Sequence, residues 1–204
     1  EMLQTEGFAT SKRVDPNMVN KKIKGKDTEV QDGWKGHIMP FDLVQSLYLN
    51  EELQALKQQE NRLSEINSEL EAILESLSED DKSQDTVNDS GDSFVNAAVA
   101  KAAKTFLLEI KEGRKAETKQ EAKANSPFDA ANVDNESYQA KIIQTNALIN
   151  EEKALKKAIK ADSEALHLHT KTTIEALSDE QVNTLLEAKW ITPLLGELSQ
   201  LPTN

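Results

Sequence analysis

Three histidines and a run of cations are the groups in this 204-residue chain whose types could do chemistry. His167 and His169 read first as a metal pair, because neutral imidazole is a common zinc ligand. Two positions apart on a helix they point to nearly opposite sides, so a shared ion is geometrically poor. Glu164 can share a face with His167, yet two ligands make no site unless others arrive from elsewhere, and both histidines read as structural or solvent-facing. His37 is a lone loop histidine with the same reading. Lys12, Arg13, Lys21, Lys22, Lys24 and Lys26 concentrate six positive charges in fifteen residues, offset by Asp15, as contacts to DNA phosphates would require. A solvated linker is the more frequent origin of such a run, which here has no interleaved aromatic and no motif of a nucleic-acid fold.

Covalent and cofactor chemistry is missing. No two of the seven glycines make a Gly-x-Gly, so the chain has no P-loop and no dinucleotide or S-adenosylmethionine loop. None of the five prolines is adjacent to another, which excludes the Asn-Pro-Pro-aromatic loop that holds a flipped adenine in amino-methyltransferases, and no serine nucleophile elbow is present. The absence of cysteine rules out disulfides, thiolate metal sites and cysteine nucleophiles, and is compatible with a reducing cytoplasm. No catalytic, cofactor-binding or metal-ligating residue is therefore assigned. No apolar run approaches the roughly 18 residues of a membrane span, so no membrane partner is expected. The start, Glu1-Met2-Leu3-Gln4-Thr5-Glu6, lacks the basic and apolar regions of a secretory signal. A chain that begins at glutamate reads as a piece of something longer.

What remains is positioning, and the elements that would do it are helices. Leu53, Leu56, Glu60, Leu63, Asn67, Leu70, Leu74 and Leu77 alternate spacings of three and four, the seam of a coiled coil, which needs a partner helix. Glu60 and Asn67 either fix register at some cost in stability or mark places where the seam is open to solvent or to a third element. From Pro40, suited to a first helical position, no Gly or Pro interrupts until Gly91. A helix from about Phe41 to Leu77 would be roughly 55 Å long. A second pattern from about Ser137 to Leu177, through Ile142, Ile149, Leu155, Ile159, Leu166 and Thr173, gives roughly 60 Å. Equal lengths and an intervening insert predict an antiparallel pair.

Residues 1–40 hold four of the seven glycines and read as loop or short strand, with Asp32-Gly33-Trp34-Lys35-Gly36 a turn. Residues 78–93 contain one aliphatic residue, Val87, and read as loop or mobile linker; residues 94–110 read as a shorter amphipathic helix and 111–136, anchored by Phe128 and Val133, as a flexible connection. Ser178 and Gln181 make a capping box for a last helix carrying Val182, Leu185, Leu186 and Trp190, and Thr192-Pro193 restarts it as Leu194, Leu195, Leu198 and Leu201. Only 37% of residues are hydrophobic and 4% aromatic, which predicts a thin core and an elongated molecule. The net charge of −12 is uneven: residues 1–40 carry seven Lys/Arg against six Asp/Glu, and 41–90 carry three against thirteen, so the seam helix is too acidic to wrap DNA. Trp34 and Trp190 are the largest anchors. Core packing is the first reading for both; an interface with another subunit, built from Trp34, Phe41, Trp190, Ile191 and Leu194, is the sharper one.

Thr28-Glu29-Val30-Gln31-Asp32-Gly33-Trp34-Lys35-Gly36-His37-Ile38-Met39-Pro40-Phe41, Leu63-Ser64-Glu65-Ile66, Ile73-Leu74-Glu75-Ser76-Leu77-Ser78 and Lys189-Trp190-Ile191-Thr192-Pro193-Leu194 resemble the C-terminal region of the modification subunit of type I restriction-modification systems. The resemblance implies a parent that is an S-adenosylmethionine-dependent adenine-N6 DNA methyltransferase, with specificity and restriction subunits as partners, DNA reached through the complex, and a cytoplasmic setting. Its cofactor loop and Asn-Pro-Pro-Phe-like motif lie upstream of the matched region, so no catalytic or cofactor residue carries over. What it implies for this chain is assembly, with helices packing on the helical arms of the specificity subunit.

Together these readings predict an all-α, elongated fold. Residues 1–40 form an irregular linker, 41–177 a long antiparallel coiled-coil-like arm with an insert at 78–136, and 178–204 a C-terminal helical segment. The competing reading is a structural coiled-coil spacer or self-association module unrelated to DNA modification.

Overall fold

The computed structural model describes residues 2–23, 25–121 and 137–199; the expectations for Lys24, Phe128, Val133 and Leu201 fall outside them. The chain divides into two compact units, one made of Glu1–Gln58 and Ile159–Asn204, the other of Gln59–Ala158. This differs from the division expected from the sequence, since the N-terminal segment and the C-terminal helices belong to one unit.

The first unit is not purely helical, and residues 1–40 are not an irregular linker. Helix α1 (Met2–Ser11) leads into an antiparallel hairpin, β1 (Val14–Ile23) and β2 (Lys26–Gly36). Ile23 pairs with Lys26, so the hairpin closes in two residues. Asp32-Gly33-Trp34 is no turn: the register runs Pro16↔Trp34 and then Met18↔Gln31, so Asn17 faces both Asp32 and Gly33 across a β-bulge. Gly33 has φ +76°, the left-handed conformation at which such bulges favour glycine. Gly36 ends β2 where a Cβ would lie 1.9 Å from the Met39 carbonyl oxygen, so the backbone doubles back there only because position 36 has no side chain.

Helix α2 (Phe41–Tyr48) begins one residue after Pro40, which is its N-cap, and α3 (Asn50–Glu75) follows. The single helix expected over 41–77 is therefore broken at Leu49 (φ −125°, ψ 32°), where acidic Glu51 and Glu52 favour the start of a new helix. The other long helix, α6 (Tyr138–Glu175), is continuous and matches its expected span within two residues at each end. Helix α7 (Asp179–Leu186) has the expected capping box of Ser178 and Gln181. It runs without a break through a π-turn (Glu187–Ile191) into α8 (Thr192–Ser199). Pro193 would clash with the carbonyl four residues back in an α-helix; the widened turn, with the Thr192 N–H bonded to the Glu187 carbonyl, accommodates it where a restart was expected. Met39, Val44, Ile174, Leu177, Val182 and Leu185 form the buried core of this unit.

In the second unit α4 (Glu79–Lys82) and α5 (Asn96–Glu121) join segments of α3 and α6. Arg62 bonds to Glu151, and Lys141 donates to the Ser76 carbonyl at 2.8 Å, so the two long helices run antiparallel here. Val99, Ala103, Ile142 and Ile149 are buried together, with Leu70, Phe94, Phe106 and Tyr138 against them. Small alanines on α5 suit such close packing. Residues 78–93, expected to be loop or mobile linker, are the one-turn α4 followed by a loop: Ser78 and Asp81 make a capping box, Val87 bridges Phe94, and the buried Thr86 hydroxyl meets the Tyr138 hydroxyl at 2.7 Å. Helix α5 also continues to Glu121 where a flexible connection was expected from 111, because Lys, Glu, Ala and Gln in that stretch are good helix formers.

Candidate functional site

The residues of the first unit converge on Trp34. Its backbone N–H donates to His167 Nε2 at 2.8 Å, which makes Nε2 the unprotonated ring nitrogen. The bulge at Gly33 aims that N–H: a Cβ on Gly33 would sit 2.6 Å from Nε2, in the space the imidazole occupies. Phe41 lies against the same imidazole with centroids 4.8 Å apart, and Lys171, one turn along α6, places its ammonium 4.3 Å from the centroid of the Trp34 ring. Such a cation–π contact contributes about 0.5–1 kcal/mol at a surface. His167 is therefore a structural pin between hairpin and helix. His169 is directed elsewhere, with Nδ1 2.9 Å from Glu52 Oε1. His37 pairs through Nδ1 with Asp15 Oδ2 at 2.6 Å, and Arg13 Nε bonds the other oxygen at 2.7 Å. These contacts, His37 first, hold the Asp15 carboxyl below the usual carboxylate range. Among the described residues no group of three or more His, Cys, Asp or Glu could hold a metal ion, and no helix is long and apolar enough to cross a membrane.

The five residues expected at a subunit interface separate into two sets. Trp34 and Phe41 are half-buried in the junction just described. Trp190, Ile191 and Leu194 are more than half exposed, as is Leu195 beside them. Lys189 stands between these sets. Its ammonium donates to the Ile38 carbonyl and lies 4.7 Å from the centroid of the Trp190 ring. A cleft of about 650 Å³ opens there, between Phe8 and Ser11 of α1, His37, Asn183 and Trp190.

The seam residues divide in the same way. Leu77 is buried; Leu53, Leu56, Leu63, Leu70 and Leu74 are half-buried; Glu60 and Asn67 are exposed, so the seam is open at its polar positions. The buried residue of α3 is Ile66, which is outside the seam. Leu70, Leu74 and Asn67 instead line a groove of about 290 Å³ with Phe94 and Ile149. One turn before Ile66, Arg62 organises the surface of the second unit. Its Nε and Nη2 hold the two oxygens of Glu151 at 2.8 and 3.1 Å, while Nη1 bonds Glu69 at 2.8 Å and Glu65 at 3.3 Å. The guanidinium pushes the Glu151 carboxyl below its usual range, and the carboxylates, Glu151 first, raise the arginine further. The leucine spacing drew attention away from this residue, although an arginine three residues before Glu65 and seven before Glu69 was there to be read.

Of the expected phosphate contacts, three are already paired. Lys12 bonds Asp179 at 2.8 Å, Arg13 bonds Asp15, and Lys21 bonds Asp32 at 2.9 Å. Lys22 and Lys26 are exposed near the hairpin tip. No protein-family model, curated protein or solved structure matches the chain.

Proposed function

We propose that this chain is the assembly region of the modification subunit of a type I restriction-modification system, joining an adenine-N6 DNA methyltransferase to its specificity subunit. The observation that carries this reading is the junction of the two words on which the resemblance rests most. Residues 28–41 and 189–194, about 150 positions apart, meet where Lys189 donates to the Ile38 carbonyl. One word is spent largely on packing, through Trp34, Met39 and Phe41, and the other presents Trp190, Ile191 and Leu194 to solvent. A contiguous apolar patch led by tryptophan is the usual anchor of a protein interface. In this reading the chain contributes positioning: α7 and α8 bind the specificity subunit, the helices α3 and α6 form a coiled-coil-like arm, and methyl transfer with S-adenosylmethionine belongs to a catalytic domain encoded upstream. The restriction subunit and DNA join through the complex in the cytoplasm.

A structural spacer or self-association module is the second reading, favoured by the groove at Leu70 and Leu74, which leaves part of the seam accessible. Co-expression with the specificity subunit separates the two. Assembly requires a stable complex weakened by Trp190→Ala; a homodimer through the leucines that ignores the specificity subunit supports the spacer. An upstream reading frame without an Asn-Pro-Pro-aromatic motif would count against the methyltransferase parent.

A further inference from the structure

Two surfaces of the second unit are complementary to each other. On α5, Lys101, Lys104, Leu108 and Lys111 follow at spacings of 3, 4 and 3, which places them on one face of the helix, with Leu107 at its border. All five side chains are exposed, Leu108 by 52%, while the opposite face carries Val99, Ala103 and Phe106 into the core. Glu109 is the one acid between Asn96 and Lys111, and at 3.6 residues per turn it is turned about 100° away from Leu108. Among the described residues none of the three lysines makes an ion pair. The second surface is the groove of about 290 Å³, whose apolar floor is Leu70, Leu74, Phe94 and Ile149 and whose rim carries Glu71 of α3, Glu152 of α6 and Asp92 at one end. Lys156 already holds Glu152, which leaves Glu71 and Asp92 as the acids open to a partner. Residues 59–92 carry eleven Asp/Glu against two Lys/Arg, and both cations are taken, Arg62 by glutamates and Lys82 by Glu79, so the acidic field around the groove is not neutralised. The volume is at the lower limit of small-ligand pockets, about 300–1,000 Å³, and suits an inserted side chain better than a metabolite.

We propose that this groove receives α5 of a second copy of the chain, with Leu108 over the apolar floor and Lys104 and Lys111 against the acids of the rim. The two lysines stand two turns apart, about 10.5 Å along the helix axis, and straddle the leucine between them. Charge complementarity selects this occupant: the groove is acidic and apolar, and α5 is a helix face that is basic and apolar. An amphipathic helix seated in an apolar groove is a common mode of recognition. The contact joins two different surfaces, so its reciprocal exchange between two copies closes a dimer about a two-fold axis. The inference rests on the self-association reading and replaces the pairing of leucine with leucine along the seam by an exchange of oppositely charged surfaces. Trp190, Ile191 and Leu194 belong to the other unit and take no part.

The test is sedimentation velocity of the whole chain, alone, at about 100 μM, well above the μM Kd of a modest interface. The wild-type chain should sediment as a dimer. The charge reversal Lys104→Glu/Lys111→Glu should weaken dimerisation about tenfold or more, and Glu71→Lys/Asp92→Lys should do the same. Mixing these two variants should restore a heterodimer, because one of its contacts then joins an acidic helix face to a basic groove and the other joins wild-type surfaces; recovery also shows that both variants are folded. Leu108→Gln, at an exposed position, should weaken the dimer while circular dichroism stays unchanged. A wild-type monomer at this concentration would overturn the proposal together with the self-association reading, whereas a dimer that the lysine reversal leaves intact would overturn this contact alone. Failure of two folded variants to recover on mixing would overturn it as well, and so would a monomer that uses the same lysines to bind phosphatidylserine vesicles.

Discussion

Replacing Gly33 with alanine tests the junction that holds the hairpin to α6. The cost has two parts. At φ +76° an L-residue loses about 1–2 kcal/mol to the contact of its Cβ with the backbone. The new Cβ would also lie 2.6 Å from His167 Nε2, well inside van der Waals contact, so the imidazole must withdraw from the Trp34 N–H it now meets at 2.8 Å. Leaving that half-buried donor unsatisfied costs about 1–3 kcal/mol. The expected destabilisation is therefore about 2–5 kcal/mol. Urea unfolding followed by the fluorescence of Trp34, in a Trp190→Phe background, reads the first unit directly. A double-mutant cycle then isolates the second part: with His167→Ala already in place, Gly33→Ala should cost only its backbone share, about 1–2 kcal/mol. If Gly33→Ala costs under 1 kcal/mol, or costs the same with and without His167, the bulge does not position Trp34 on that histidine.

Gly36→Ala should be more damaging than an ordinary loop substitution, by about 3 kcal/mol or through loss of soluble protein, because the Met39 carbonyl 1.9 Å from the new Cβ is backbone and cannot rotate away; thermal melting compares it with wild type. Removing Arg62 as Arg62→Leu leaves Glu65, Glu69 and Glu151 facing one another, and should lower the urea midpoint more than Lys156→Leu, which breaks only the pair with Glu152 on the same helix. Asp15 and Glu151 both have lowered pKa values in the folded chain, so the stability they contribute is present above the ordinary carboxylate range near 4 and is lost as pH falls below it. Urea midpoints between pH 7 and 3 should fall on acidification, and Glu151→Gln should flatten that fall; an unchanged slope would refute the pairing with Arg62.

The span of α6 and the start of α7 were legible because their signals are local. An uninterrupted apolar period places α6 within two residues, and Ser178 with Gln181 forms the capping box that the Ser-x-x-Gln spacing implies. Short strand was one of two readings of residues 1–40, but the pairing into a hairpin was hidden because its alternation is diluted by lysines and acids, and because Gly33 resembles a turn glycine until the register shows it in a bulge. The Trp34–His167 bond joins positions 133 residues apart, a pairing that no local pattern carries. The leucine spacing left Ile66 and Arg62 unremarked: Ile66, a turn from both Leu63 and Leu70, is the buried residue of α3, and Arg62 carries the ion pairs to Glu151, Glu69 and Glu65. Trp190 was read as a core anchor first, yet it lies in the π-turn before Pro193 and is 58% exposed.

Association with the specificity subunit is the central claim, and co-purification of the tagged chain with its cognate specificity subunit, analysed by size exclusion with light scattering, tests it most directly. A stable heteromeric complex should form with the wild-type chain, and Trp190→Ala with Leu194→Ala should abolish it while circular dichroism and the Trp34 signal stay unchanged. A chain that remains alone or pairs only with itself in the presence of that subunit would contradict the claim.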